Sequence, residues 1–394
     1  MNVLFIMVDQ MRADAMGCAG HPVVRTPNLD ALAAAGVRFE NAFVQQAVCG
    51  PSRMCYYTGR YVHNHRSTWN EVPLPRNEQT MGHLFLRAGY RAVNCGKNHF
   101  VADPKGGGKP LAPWEGMMWP WLTTLSGMED YLLLDAGSHC PAYIDHLRNQ
   151  GYDAEILENP YLLDGPNGRK QWTQHNGIHG SVVRAENSET AFLTDRAIDF
   201  IRAPGPKPWM MHLSYFRPHQ PTTPPKPYNT MYDPADMPAP LRGETELDGH
   251  PMNRPFRQER LGHTADEEPA WRNFRAAYYG LISELDDNLG RVFSALKENG
   301  QWDNTLIVFC SDHGEYLGDH WTIEKELWYD QAYRTPFIVR DPRTKADITR
   351  GKTLAALVES VDVLPTMLAA AGAGALPPDG RYHAHRRGRA GHGH

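Results

Sequence analysis

Four short stretches of this 394-residue chain carry residue types that could do chemistry together. Asp9 follows the apolar run Val3 to Val8, and Asp312, with His313 beside it, follows a second run, Thr305 to Cys310. A continuous apolar run marks a strand covered on both faces, and in open α/β sheets ligands gather outside the carboxyl ends of such strands. Either aspartate alone reads most simply as a turn or cap residue. Two of them with a histidine read as a cation site. An oxygen-rich set with one imidazole suits calcium or manganese, then magnesium, better than a thiolate-loving metal. The third stretch is Cys49-Gly50-Pro51-Ser52-Arg53, continued by Thr58-Gly59-Arg60. Pro51 and Ser52 predict a helix start, because proline lacks an amide hydrogen that the first turn would leave unpaired. Cys49 then stands just before a helix N-terminus, where free amides favour negative charge, and Arg53 lies one turn in, close enough to help an oxyanion. The fourth is Gly96-Lys97-Asn98-His99, which ends the predicted strand Arg91 to Cys95. Alone, Lys-x-His is a solvated pair. On the rim that carries Asp9 and Asp312 it becomes an anion-binding pair.

The elements that must position these residues alternate along the chain. Strands are predicted at 3–8, 37–43, 91–95, 209–214, 305–310 and 336–340. Helices are predicted from Thr26-Pro27 to Gly36, at 80–88, 188–201, 270–298 and 362–371. In the long helix Ala277, Leu281, Leu285 and Leu289 fall at helical spacing. Strand–helix alternation predicts an α/β fold with a mainly parallel sheet. Residues 103–187, rich in Gly, Pro and Trp with little periodicity, read as one long irregular insertion of the kind that forms lids or binding walls. Hydrophobic content of 41% and charged content of 22% are ordinary for a globular protein, and a formal net charge of −5 offers no basic field to nucleic acid. No apolar run reaches membrane-span length. Met1-Asn2 leads straight into the first strand without a basic flank or cleavage site, so the expectation is a cytoplasmic protein with six free thiols.

The string Cys49-x-Pro-Ser-Arg53 with its Thr58-Gly59-Arg60 extension resembles the signature of the sulfatase family, in which the cysteine is oxidised to formylglycine. The resemblance runs over about residues 2–372. It implies a three-layer αβα sandwich of the alkaline phosphatase type and a partner enzyme that generates formylglycine. It also implies one divalent metal held by Asp9, residue 49, Asp312 and His313. Lys97 and His99 match an element that contacts sulfate, and Lys325 matches a second substrate lysine. Arg53 and Lys97 would stabilise the nucleophile and the developing oxyanion, and His99 would be the base for the second hydroxyl. His219 and Lys325 would protonate or polarise the leaving oxygen, although His219 reads equally as a loop histidine among prolines. Asp9-Gln10 and Asp312-His313 stand where many sulfatases have Asp-Asp and Asp-Asn. These look like the phosphonate monoester hydrolase and choline-sulfatase branches and, with Asn70, which matches the former, imply substrate contacts for Gln10 and Asn70. The phosphonate branch has Tyr and Thr at the positions of Lys97 and His99, so this element points to sulfate.

The activity so implied is hydrolysis of sulfate monoesters. One hydroxyl of hydrated formylglycine attacks sulfur and displaces the alcohol. The other is then deprotonated, the carbonyl reforms and sulfate leaves by C–O cleavage. The alternatives are a phosphonate monoester or phosphodiester hydrolase, a metal-dependent mutase or transferase of the same superfamily, or a silent binding protein. A homo-oligomer is compatible with all of them. The family-like text stops near Gly372, as if cut short or shifted in frame, where relatives continue into a C-terminal sheet subdomain. Residues 373–394, basic and histidine-rich, are expected to be a disordered tail. His63 and His65 read as surface loop histidines.

Overall fold

The computed structural model describes residues 1–75, 77–99, 125–134, 140–165, 170–171, 179–261 and 270–374. Its strands are β1 (Asn2–Asp9), β2 (Val37–Phe43), β3 (Arg91–Gly96), β4 (Glu129–Leu133), β5 (Leu163–Asp164), β6 (Lys170–Gln171), β7 (Trp209–Pro218), β8 (Thr305–Ser311), β9 (Phe337–Arg340) and β10 (Lys352–Glu359). Eight of them form one sheet in the order β10-β2-β9-β8-β1-β7-β3-β4, while β5 and β6 pair separately. Only β9 runs antiparallel to its neighbours within the large sheet.

Alternation along β1 explains the layering. Val3, Phe5 and Met7 face one core, shared with Met54 and Tyr57 of the helix Cys49–Thr58, Phe85 of Met81–Arg87 and Leu364 and Met367 of Val363–Ala371. Leu4, Ile6 and Val8 face the other, shared with Leu29 of Pro27–Ala34, Ile198 of Glu189–Arg202 and Leu285 and Leu289 of Ala270–Glu298. Period-two alternation in a central strand thus feeds two helix layers, which makes the three-layer αβα sandwich. Each large apolar side chain so buried contributes about 1.5–3 kcal/mol. The parallel strands β1, β3, β7 and β8 all end on one rim, so Asp9, Lys97, His219 and Asp312 arrive together.

The structure departs from the sequence expectations at identifiable places. Within 103–187, expected to be irregular, the described residues include β4, which extends the sheet beside β3, and the helices Pro141–Asn149 and Ala154–Glu158. β4 is a half-exposed edge strand, and edge strands lack the apolar run that reveals a central one. β10 escaped notice for the same reason, with most of its residues exposed or half-exposed. Cys49 is not outside its helix but in the first turn, with Val48 as the extended N-cap. Pro51 causes no break there, since first-turn amides have no intrahelical acceptor. His65, expected on the surface, is fully buried with its Nε2 3.3 Å from Cys55 Sγ. All six cysteines are free. No described helix is long and apolar enough to cross a membrane. The tail 375–394 lies outside the described residues.

Candidate active site

Asp9, Cys49, Asp312 and His313 each place a ligand atom within 4.8 Å of the others, and all four are buried. His313 Nε2 lies 3.1 Å from Cys49 Sγ, 3.6 Å from Asp9 Oδ1 and 3.7 Å from Asp312 Oδ1. Its Nδ1 faces the Gly314 carbonyl at 2.9 Å, which sets that nitrogen as the donor and turns Nε2 toward the acids. Two carboxylate oxygens, one imidazole nitrogen and an atom of residue 49 can hold one divalent cation, and the donor set fits an oxygen-preferring ion.

Cations hold these acids in place from behind. Arg53, fully buried, donates from Nε to Asp312 Oδ2 (2.8 Å) and from Nη2 to Asp9 Oδ2 (3.1 Å). Its Nη1 donates to the Lys97 carbonyl and to Ser214 Oγ, both at 2.9 Å. Arg53 was expected to stabilise the nucleophile and the developing oxyanion. Its donors are instead turned to the outer oxygens of the two acids, so it orients them. Lys97 Nζ adds a contact to Asp9 Oδ2 at 2.8 Å. Burial alone would raise the Asp9 carboxyl, but Lys97, His219, Arg53 and His313 together hold it well below its ordinary value. Lys97 reaches this position because β3 ends at Gly96 with φ 109°, where a Cβ would meet the Ser214 carbonyl oxygen at 2.0 Å.

The remaining expected residues converge on the same rim in different roles. Lys325 Nζ lies 3.1 Å from Cys49 Sγ, 2.9 Å from Gln10 Oε1 and 3.0 Å from His219 Nε2. Burial would lower this lysine, but Cys49, Asp9 and Glu324 raise it, so it stays charged. Burial, with Lys325 next, pushes His219 well below its ordinary value; it is neutral, its Nδ1 donating to the Gln220 carbonyl (2.7 Å). Of this pair Lys325 is therefore the protonated member. His99, also buried, is held neutral by burial, Lys97 and Arg53. Asn70, expected to line the pocket, accepts from the Gly50 amide at 2.8 Å and so caps a first-turn donor that Val48 cannot reach. Gln10, also expected to touch substrate, is 1% exposed and bridges Lys325, Gln220 and Glu315. Gln220 and Glu315 went unassigned in the sequence reading. Glu315 closes Asp312-His313-Gly314-Glu315, so its place in that string was the available signal.

Burial pushes the Cys49 thiol up to about 11, with Asp9 adding to it. A protonated thiol is a poor nucleophile at neutral pH.

Behind His219, Arg217 donates from Nη1 to the His219 carbonyl (3.2 Å) and stacks its guanidinium 4.8 Å above the Tyr161 ring. Arg217 and Tyr161 line a small cavity together with Glu284, whose carboxyl burial raises to about 7 against the lowering effects of Ser188 and Arg217. Between the ordinary glutamate range and about 7, the folded protein keeps a proton that the unfolded chain releases. Stability therefore falls as pH rises through that window. Glu284→Gln should flatten the dependence by about 1.4 kcal/mol per pH unit. Urea unfolding at several pH values between 5 and 7 checks this, and equal slopes for wild type and variant would refute it.

Two acids, a histidine, lysines and an arginine thus converge on one strand rim of an α/β sandwich. The chain belongs to the sulfatase family, whose family model matches residues 1–373. It is 35% identical over 396 residues to the multifunctional alkaline phosphatase superfamily protein PehA of Trinickia caryophylli, covering 93% of this chain and 73% of that one. It is 30% identical over 385 residues to an arylsulfatase of Clostridium perfringens, covering 93% and 74%. Among solved structures, the phosphonate monoester hydrolase SpPMH from Silicibacter pomeroyi superposes with a TM-score of 0.83 at 35% identity, covering 94% of this chain and 73% of that one. The alkaline phosphatase type of fold follows from these neighbours.

Proposed function

We propose that the protein hydrolyses sulfate monoesters, with Cys49 converted to formylglycine by a dedicated maturation enzyme. Asp9, Asp312, His313 and residue 49 would hold one divalent ion, calcium or manganese before magnesium. The ion would supply charge neutralisation for the transferred group and the nucleophile. Every other part belongs to the chain. Arg53 fixes the two acids. Lys97 offsets charge on the transferred oxygens. Lys325 Nζ gives the leaving oxygen its proton, and neutral His219 keeps that ammonium aimed. His99, neutral by burial, takes a proton from residue 49 in the second step. The high position of the Cys49 thiol supports an oxygen nucleophile made from this residue rather than a thiolate.

The observation that carries sulfate over phosphonate is the pair Lys97 and His99, both buried on this rim where the phosphonate branch has Tyr and Thr. A sulfate monoester presents a compact single charge that such a pair clamps. A phosphonate monoester has the same charge and an additional carbon substituent that needs room. The likeness to SpPMH favours phosphonate monoester hydrolysis as a second, weaker activity. Lys97→Ala and His99→Ala should each reduce sulfatase turnover on the order of a hundredfold, as for loss of other charge-stabilising donors. Steady-state kinetics on a chromogenic aryl sulfate measures this, and undiminished turnover in both variants would refute the assignment.

A further inference from the structure

We infer that Glu315 is a positioning residue that aims Lys325 at residue 49 by fixing which way round the Gln10 carboxamide sits. This rests on the role of Lys325 given above. An ammonium group has only donors, and Lys325 Nζ meets Gln10 Oε1 at 2.9 Å. The Gln10 carbonyl must therefore face the lysine and its NH2 must face away. On that side it meets two acceptors, Gln220 Oε1 at 2.6 Å and Glu315 Oε2. The reverse orientation would set NH2 against an ammonium. Burial makes that mismatch costly, since Gln10 and Glu315 are each only 1% exposed and water cannot repair it.

Glu315 holds the other end of Lys325 as well. Its Oε1 accepts the Leu317 amide at 3.0 Å and the amide of Glu324, the residue before Lys325. Glu324 has φ 67° and Gln10 has φ 68°, left-handed conformations unusual for these residues. Such backbone persists where surrounding bonds over-determine it, and the Gln10 amide is itself tied to Asp312 Oδ1 at 3.1 Å. One carboxylate thus fixes the lysine's backbone through Glu324 and its ammonium through Gln10. Lys325 Nζ is left 3.1 Å from Cys49 Sγ and 3.0 Å from His219 Nε2.

The test exchanges donor and acceptor across the pair in the full-length, metal-loaded protein. Glu315→Gln keeps an oxygen for the two amides and puts an NH2 against the NH2 of Gln10. Its kcat on the best ester should fall about 10–100-fold, as for other supporting-shell losses, with KM little changed. Gln10→Glu alone sets two acids against each other and should also lose activity. The double variant restores one donor facing one acceptor and keeps an acceptor for Lys325. It should recover about tenfold or more over Glu315→Gln, a rescue that a merely structural role would not give. A double variant no better than the product of the singles, or single variants at the wild-type rate, overturns the inference. A crystal structure of Glu315→Gln reads the same point without activity: Lys325 should leave Cys49 and His219, and an unmoved lysine overturns the inference. If Glu315→Gln does not fold, a Gln10→Glu structure with Lys325 unmoved does so too. A displaced lysine in a protein whose wild type cleaves no sulfate ester would sink the proposed function and leave this inference standing.

Discussion

Asp312→Ala should lose the divalent ion and catalytic activity together. The side chain does three things at once. Oδ1 lies 3.7 Å from His313 Nε2 and accepts the Gln10 amide at 3.1 Å, while Oδ2 accepts from Arg53 Nε at 2.8 Å. Truncation would remove a proposed ligand of the ion and leave the fully buried Arg53 with Asp9 as its remaining carboxylate partner. Breaking one side of a buried ion pair costs about 3–5 kcal/mol, so the variant should also melt early. Asp312→Asn separates the two effects, because it preserves shape and one acceptor but lowers the charge available to both the ion and Arg53. It should keep more stability than alanine while still losing most of the metal. Elemental analysis after dialysis measures ion per chain. Full occupancy in Asp312→Ala would remove this aspartate from the site.

Changing Cys49 should have an effect as large, and of a recognisable kind. Protein co-expressed with a formylglycine-generating enzyme should show, in the peptide holding Cys49, an aldehyde in place of the thiol. Only thiol, despite a competent enzyme, would count against the reading. Cys49→Ala should lower turnover by at least about a thousandfold, as expected when a covalent nucleophile is lost. Cys49→Ser is more informative. A serine hydroxyl could attack sulfur and displace the alcohol, but it has no second hydroxyl from which a carbonyl can reform. The sulfated serine would need a second attack at sulfur, so rapid-quench kinetics should show about one equivalent of alcohol released and then a stall. Steady turnover by the serine variant would show that the geminal hydroxyls are unnecessary.

The rim itself was legible in the sequence because central parallel strands announce themselves as apolar runs, and Asp9 and Asp312 directly follow two of them. The string from Cys49 to Arg60 located the helix that carries residue 49 to within a residue or two. What the sequence could not show is where side chains spend their hydrogen bonds. Arg53 was expected to stabilise the nucleophile and the developing oxyanion, and Asn70 to line the pocket. Their partners, Asp9 and Asp312 for one and the Gly50 amide for the other, come from elements 20 to 259 residues away. Gln10 and Glu315 are 305 residues apart and meet only because β1 and β8 are neighbours in the sheet. β4 and β10 were missed because an edge strand needs no continuous apolar face. His65 was misplaced because nothing local says that a histidine has a buried cysteine for a partner.

Sulfate preference is decided by one side-by-side measurement on formylglycine-bearing, metal-loaded protein: kcat/KM for an aryl sulfate monoester and for the matched aryl phosphonate monoester, with the same leaving group. The sulfate should be turned over faster, with the phosphonate a measurable but weaker substrate. Faster hydrolysis of the phosphonate would contradict that preference.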